Sequence, residues 1–203
     1  MTTARLETFS DGVFAIAATL LILNVNVTGV PLGKALLHGW PSYVAYAVSF
    51  LTIGIMWVNH HGVFSQIDKV DRTFLMINVV FLMFVAFVPF PTKLVAENIH
   101  RPGLEAAALT YGFTLTLTAL AYNALWFYAA RGRRLLRADA DAKTVTGISR
   151  SFLPGPWIYL TATLLAFGWP TLSIVLFAVI AVFYMLESAL FGRRVMNVSE
   201  GPR

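Results

Sequence analysis

The chemistry-bearing residues of this chain gather near its start, in Arg5-Leu6-Glu7-Thr8-Phe9-Ser10-Asp11-Gly12. Two carboxylates, a guanidinium and two hydroxyls stand there at the head of an otherwise apolar run. A carboxylate at the edge of a hydrocarbon slab is costly unless it is paired or hydrogen-bonded. One reading is local: Ser10 and Asp11 serve the first turn of a helix, where acids are favourable. The other is that they reach polar partners on neighbouring helices. Such partners recur further on, as Trp57, Asn59, His60 and His61, then Asp71, Arg72 and Asn78. Asp11, His60, His61, Asp71 and Asn78 are expected to meet in one buried hydrogen-bonded network. Glu187 is expected to pair with Arg193 or Arg194, or to snorkel to the membrane surface; a proton relay is the sharper alternative.

Other chemistries lack their residues. The sequence has no GxSxG, no paired-carboxylate motif, no glycine-rich phosphate loop and no nucleotide fingerprint. It has no cysteine and no HExxH, and neighbouring His60 and His61 would point about 100° apart on a helix. The expectation is therefore no enzyme, no cofactor and no bound metal. Ser49, Thr52, Thr114, Thr116 and Thr118 are expected to bond back to helix carbonyls or to a neighbouring helix.

The elements that must position these residues follow from composition. The chain has 203 residues, 58% hydrophobic and 12% charged, where a soluble domain carries about 25% charged. Its mean hydropathy is +0.71. Windows 12–33, 35–67, 73–92, 106–130 and 151–186 contain no Asp, Glu, Lys or Arg. One membrane crossing needs roughly 20 apolar residues, so four windows fit one span each and the last fits two. The runs are continuous rather than alternating, which favours helices over a barrel. The expected fold is all-α, a single domain 1–203 with six transmembrane helices near 6–27, 42–64, 73–92, 105–130, 152–168 and 171–191. Pro89-Phe90-Pro91 is expected to close the third span, and Gly168-Trp169-Pro170 to divide the last two. The loop 131–150 has room for a short interfacial helix. Trp40, Trp57, Trp126, Trp157 and Trp169 fall toward span ends, as interfacial aromatics do. Ala15-Ile16-Ala17 lies inside the first apolar run rather than after it, so an uncleaved first span is expected.

Positive charge orients the spans. With both termini cytoplasmic, the inside segments hold Arg5, Lys69, Arg72, Arg131, Arg133, Arg134, Arg137, Lys143, Arg150, Arg193, Arg194 and Arg203, and the outside segments only Lys34, Lys93 and Arg101. The basic 131–137 run is thus read as an anchor facing anionic lipid, not as a nucleic-acid patch. The expected place is the cell membrane.

Within the first span, Phe9, Gly12, Ile16, Leu20, Leu23 and Val27 follow helical three-to-four spacing and share a face. Thr19 lies at its edge. Gly12, Ala15, Ala18 and Thr19 are small, which lets backbones approach closely. Such a stripe is ordinarily packing or lipid contact.

Arg5-x-x-x-Phe9-Ser10-Asp11, continued by Gly-Val-Phe-Ala-Ile-Ala-Ala-Thr-Leu-Leu-Ile-Leu, resembles the prokaryotic branch of the transmembrane protein 175 family of potassium channels. The resemblance extends to Trp57-x-x-His60-His61, Asp71, Asn78 and Pro89-Phe90-Pro91-Thr92. It implies six-helix subunits assembled as homotetramers, with the first helix of each lining a central pore and no re-entrant carbonyl filter loop. By the same resemblance Ile16, Leu20 and Leu23 form an apolar constriction, and Thr19 supplies a potassium preference. Arg5, Phe9, Ser10 and Asp11 belong to the signature motif that ties the first helix to the next two, with Trp57, His60 and Asn78 as partners. The expected function is a potassium-permeable leak channel of moderate selectivity, with potassium as the permeant ion, and with membrane lipid and copies of itself as partners. A proton-coupled exchanger using Asp11, His60 or Glu187, and a non-conducting scaffold, are the alternatives.

Overall fold

The computed structural model describes the backbone of residues 3–26 and 31–199, and side chains up to residue 186. Glu187, Arg193, Arg194 and Arg203 therefore lie outside the described side chains. The helices are α1 (Thr3–Leu20), α2 (Leu32–His38), α3 (Trp40–Phe64), α4 (Arg72–Phe87), α5 (Pro89–Asn98), α6 (Leu104–Ala130), α7 (Ala142–Phe152), α8 (Gly155–Leu164) and α9 (Pro170–Ser199). Short 3-10 turns extend α1 over Leu21–Asn24 and α8 over Leu165–Phe167. Among the described residues the only extended pairing is an isolated bridge between Ile67 and Leu136.

Four stretches are long and apolar enough to cross a membrane: Thr3–Asn24, Trp40–Phe64, Arg72–Asn98 and Leu104–Arg133. Pro170–Leu186 is a shorter apolar stretch. The chain is an all-α membrane protein. One boundary differs from expectation. Pro89-Phe90-Pro91 does not close the third span, because α5 continues as far as Asn98. Proline is tolerated in the first turn of a helix, where its missing N–H has no partner to lose. Val88 keeps helical angles, its N–H bonds to the Val85 carbonyl, and Thr92 N then bonds to Val88 O. The helix is interrupted and restarted rather than ended.

The long helix α6 forms the middle of the bundle, packed against α4, α5, α8 and α9. Gly112 permits a close approach to α8 and α9. A Cβ there would collide with Thr163 Oγ1 and stand 2.8 Å from Phe177 Cζ. The core between α1, α3, α4 and α6 is aromatic: Phe14, Phe64, Phe74, Phe81, Tyr122 and Trp126 are all buried. Trp126 is thus not an interfacial residue. Its ring is fully enclosed and its Nε1–H donates to Ser149 Oγ of α7 at 2.9 Å. Sequence position near a span end cannot reveal that a further helix folds over that end.

Where α1 begins, α3 ends and α6 ends (the near side), two connections and the start of α1 are stapled together. Asp68 N donates to Leu135 O at 3.0 Å, and Arg137 N to Gln66 O at 2.9 Å. Thr3 Oγ1 donates to Asp68 O. The chain turns back after α6 through Gly132 and Arg133, both in the left-handed region, with φ of 61° and 56°. Only glycine takes that conformation without steric cost. Asp71 holds the staple from below. It caps α4 by accepting from Phe74 N at 2.8 Å, and its other oxygen accepts from Tyr128 Oη of α6 at 2.8 Å. Arg134 stands 3.3 Å from that oxygen and lies over the Tyr128 ring.

The Phe74 N–H bond, then Tyr128 and Arg134, hold the Asp71 carboxyl below its usual range. A depressed folded value means the carboxylate stabilises the fold fully above its unfolded pKa, about 3.9, and loses this as pH falls through the folded value. Asp71→Asn should therefore lower the melting temperature at pH 7 and flatten its decline below about pH 4. Melting curves in detergent across that range decide it; parallel acid limbs in the two proteins would remove the Asp71 charge from the staple.

Candidate functional site

Helix α1 sits at the edge of the bundle and leans on α3 and α4. Leu6, Ser10, Phe14, Ala17 and Leu21 are buried against them. The opposite face is open. Gly12, Ala15, Ile16, Thr19, Leu20 and Leu23 are all exposed, Ile16 at 62% and Leu23 at 74%. Of the stripe read from the helical spacing, Phe9, Gly12, Ile16, Leu20 and Leu23 are exposed with Thr19 at their edge, and Val27 lies outside the described residues. Thr19 Oγ1 lies 2.9 Å from both the Ala15 and Ile16 carbonyls. Its single proton is thus given to the backbone. The oxygen keeps lone pairs that can only accept a hydrogen bond or meet a cation.

The buried side of α1 is locked by a chain of hydrogen bonds whose direction can be deduced. Ser10 is wholly buried and donates its proton to Leu6 O at 2.9 Å. Its oxygen must then accept from Asn78 Nδ2, at 3.1 Å. That orientation turns Asn78 Oδ1 toward His60 Nε2, 3.0 Å away, so the imidazole carries its proton on Nε2. His60 on α3, Asn78 on α4 and Ser10 on α1 are joined in sequence. His60 Nδ1 is left a bare acceptor, with no partner among the described residues. The ring is held between Phe64 and Phe81, with Phe14 against its edge.

A second set of bonds runs along the α1–α3 seam. Trp57 Nε1–H donates to Asp11 Oδ1 at 2.9 Å, and His61 Nδ1 meets Glu7 Oε1 at 2.8 Å. Glu7 and Asp11 are one turn apart, as are Trp57 and His61. The two antiparallel helices therefore meet as two rungs of a ladder. The far end of α1 has its own tie: Asn24 Nδ2 donates to Pro89 O at 2.7 Å, where α4 gives way to α5.

The expected single network is therefore three separate arrangements. Asp71 belongs to the α4–α6 staple and does not join Asp11, His60, His61 or Asn78. Arg5 and Phe9 also depart from the expected role of tying α1 to its neighbours within the subunit. Both lie on the exposed side, bordering an open depression with Ala4 and Thr8. The tie is made by Glu7, Ser10 and Asp11 instead. Thr52, Thr114, Thr116 and Thr118 donate to carbonyls four residues back on their own helices. Ser49 instead meets Thr92 and Tyr111 across helices. Among the described residues, no group of three or more His, Asp or Glu side chains could hold a metal ion.

Residues 5–89, which contain every bond just described from Glu7 to Pro89, match the family model for "Endosomal/lysosomal potassium channel TMEM175". A potassium channel of Chamaesiphon minutus is 43% identical over 192 residues, covering 92% of this chain and 95% of that protein. The chain belongs to the TMEM175 family. A potassium channel of Streptomyces collinus is 42% identical over 185 residues, covering 89% of this chain and 90% of its own length. The crystal structure of a lysosomal potassium-selective channel TMEM175 homolog from Chamaesiphon minutus superposes with a TM-score of 0.84 at 41% identity, covering 92% of this chain and 97% of that one. The likeness to these TMEM175 proteins runs nearly the full length, so it includes α6 to α9, where no specific motif was recognised in the sequence.

The directed chain makes a simple test. Ser10→Ala removes the acceptor of a buried amide and should cost about 1–3 kcal/mol. Thr8→Ala, which removes an exposed hydroxyl that bonds its own helix, should cost far less. Unfolding in detergent compares the two; equal losses would mean that Asn78 finds another acceptor.

Proposed function

We propose that this protein is a potassium-permeable channel of the cell membrane in which four copies place their α1 helices around a central pore. Each subunit crosses six times, with both termini in the cytoplasm, the fifth and sixth crossings being α8 with its 3-10 extension and α9. The observation that carries the reading is the open Ile16–Thr19–Leu20–Leu23 face, on a helix whose other side is locked to its own subunit. The names of the Chamaesiphon and Streptomyces relatives give the ion.

In this arrangement Ile16, Leu20 and Leu23 stack as rings over about 10 Å of pore. Apolar rings can gate by dewetting, and an ion passing them sheds part of its water. Potassium holds that water less tightly than sodium. Four Thr19 oxygens, with their protons directed away to the backbone, replace some of the lost ligands. No carbonyl filter is involved, so selectivity is moderate. Potassium is the permeant species; the mechanism calls on no cofactor and no resident metal. Arg5 and Phe9 lie at the cytoplasmic end of the same face, where neighbouring subunits meet.

Purified protein in potassium-loaded liposomes tests the reading. Passive potassium flux without a proton gradient is expected. Flux that requires a proton gradient would make the protein an exchanger, and no flux would make it a scaffold. Ile16→Asn should wet the constriction and raise conductance several-fold; unchanged current from intact tetramers would take Ile16 out of the pore. Thr19→Ala should move the reversal potential toward that of an unselective pore, and an unchanged potential would clear Thr19 of any part in selectivity.

A further inference from the structure

The basic connection after α6 is expected to face lipid, yet the structure spends most of its charges internally. Arg134 is paired with Asp71, Arg137 is paired with Asp139, and Arg133 donates to the Ala140 carbonyl at 2.7 Å. Two cations further along are different. Lys143 and Arg150 are exposed on α7 and carry no ion pair among the described residues. Asp141, the nearby acid, is occupied as the α7 cap, accepting from Thr144 N and Oγ1.

Lys143 and Arg150 are two turns apart, so they share one face of α7. Between them on that face lie Thr146 and Gly147, both exposed and small. Nothing stands within 4 Å of where a Gly147 side chain would be. The opposite face carries Val145, Ile148 and Phe152, which pack on the core, and Ser149, which receives the Trp126 N–H. The helix is thus fixed with its apolar side inward and its basic side outward. Immediately beyond it, Leu153 and Trp157 are exposed, Trp157 at 68%, where the chain turns into apolar α8.

The geometry points to a docking surface for anionic phospholipid: Lys143 and Arg150 bracket a phosphate-bearing headgroup over Thr146 and Gly147, while Leu153 and Trp157 meet the upper acyl chains. Two cations, a small-residue gap between them and an exposed indole two turns further along the chain are the complement of an acidic lipid at the membrane surface. The surface lies on the cytoplasmic leaflet by the orientation proposed above, and its lipid preference can be measured independently of that orientation.

The test uses the full-length protein in vesicles of equal phosphatidylglycerol and phosphatidylcholine, with bromine on the chains of one lipid or the other. The Trp157 signal is the wild-type fluorescence less that of Trp157→Phe. Brominated phosphatidylglycerol should quench it much more strongly, reflecting local enrichment of up to roughly thirtyfold from two basic residues. The preference should disappear in Lys143→Gln/Arg150→Gln. It should survive in Lys93→Gln/Arg101→Gln, which removes equal charge from the other side. Equal quenching by both lipids in the wild type overturns the proposal, as does a preference lost in both double variants. Orientation is read separately. The chain has no cysteine, so Thr146→Cys offers one thiol to an impermeant maleimide. Labelling from outside intact cells would reverse the proposed topology and leave the lipid result standing.

Discussion

In hydrocarbon a polar group must find its partner inside the protein, because water is absent and each unmet group costs several kcal/mol. Helix α1 brings Glu7, Ser10 and Asp11 to the membrane edge, and the adjoining helices are arranged to receive them. Ser10 goes to Asn78, Asp11 to Trp57 and Glu7 to His61. All three bonds lie on one side of α1. Satisfying them fixes the rotation of the helix about its own axis. The face bearing Ile16, Thr19, Leu20 and Leu23 is then held away from the subunit core by bonds made by residues that are not on it.

The fixation has two ends of unequal strength. The near end has a buried chain through three helices and two further rungs on the seam. The far end has the single amide of Asn24 on the Pro89 carbonyl, next to a 3-10 turn over Leu21–Asn24. A 3-10 turn winds more tightly than an α-helix and rises further per residue. It therefore sets the angular position of Leu23 relative to Leu20 differently from a continued α-helix. Position along the open face and attachment to the core are coupled most closely at Ser10 and least closely at Leu23.

The four long apolar helices and the shared face of the α1 stripe were legible in the sequence, since both rest on periodicity and on the length of apolar runs. The three-dimensional grouping of the polar residues was only half legible. Asn78 sits two turns beyond Asp71, and a helix that long carries the two to different depths, so they serve different partners. Asp71 is drawn to Tyr128 and Arg134 by a loop fold that depends on Gly132 and Arg133. No local pattern announces that fold. A missed signal was available, however. Glu7 and Asp11 on one helix, and Trp57 and His61 on the next, repeat the same one-turn spacing, as antiparallel partners must if two rungs are to form together. Trp126 and Pro89 misled for a different reason. Each residue type has an ordinary place in membrane proteins, and in each case a neighbouring element, α7 or α5, supplies a different one.

The basic side of the molecule shows how one set of charges can act at two stages. During insertion, what orients a span is the number of Lys and Arg beside it, whatever their later partners. After folding, the Arg133 and Arg137 side chains bond within the turn that follows α6, and Arg134 ties that turn to Asp71 at the end of the α3–α4 connection. Their charge is then largely spent on carbonyls and carboxylates. Lys143 and Arg150 stay unspent because α7 is amphipathic and its inward face is already filled by Val145, Ile148 and Phe152. A helix fixed in this way cannot rotate to bring its cations onto the protein. The packing that anchors α7 is thus what reserves its two charges for the membrane, just as the bonds of Ser10 and Asp11 reserve the opposite face of α1 for whatever occupies its open side.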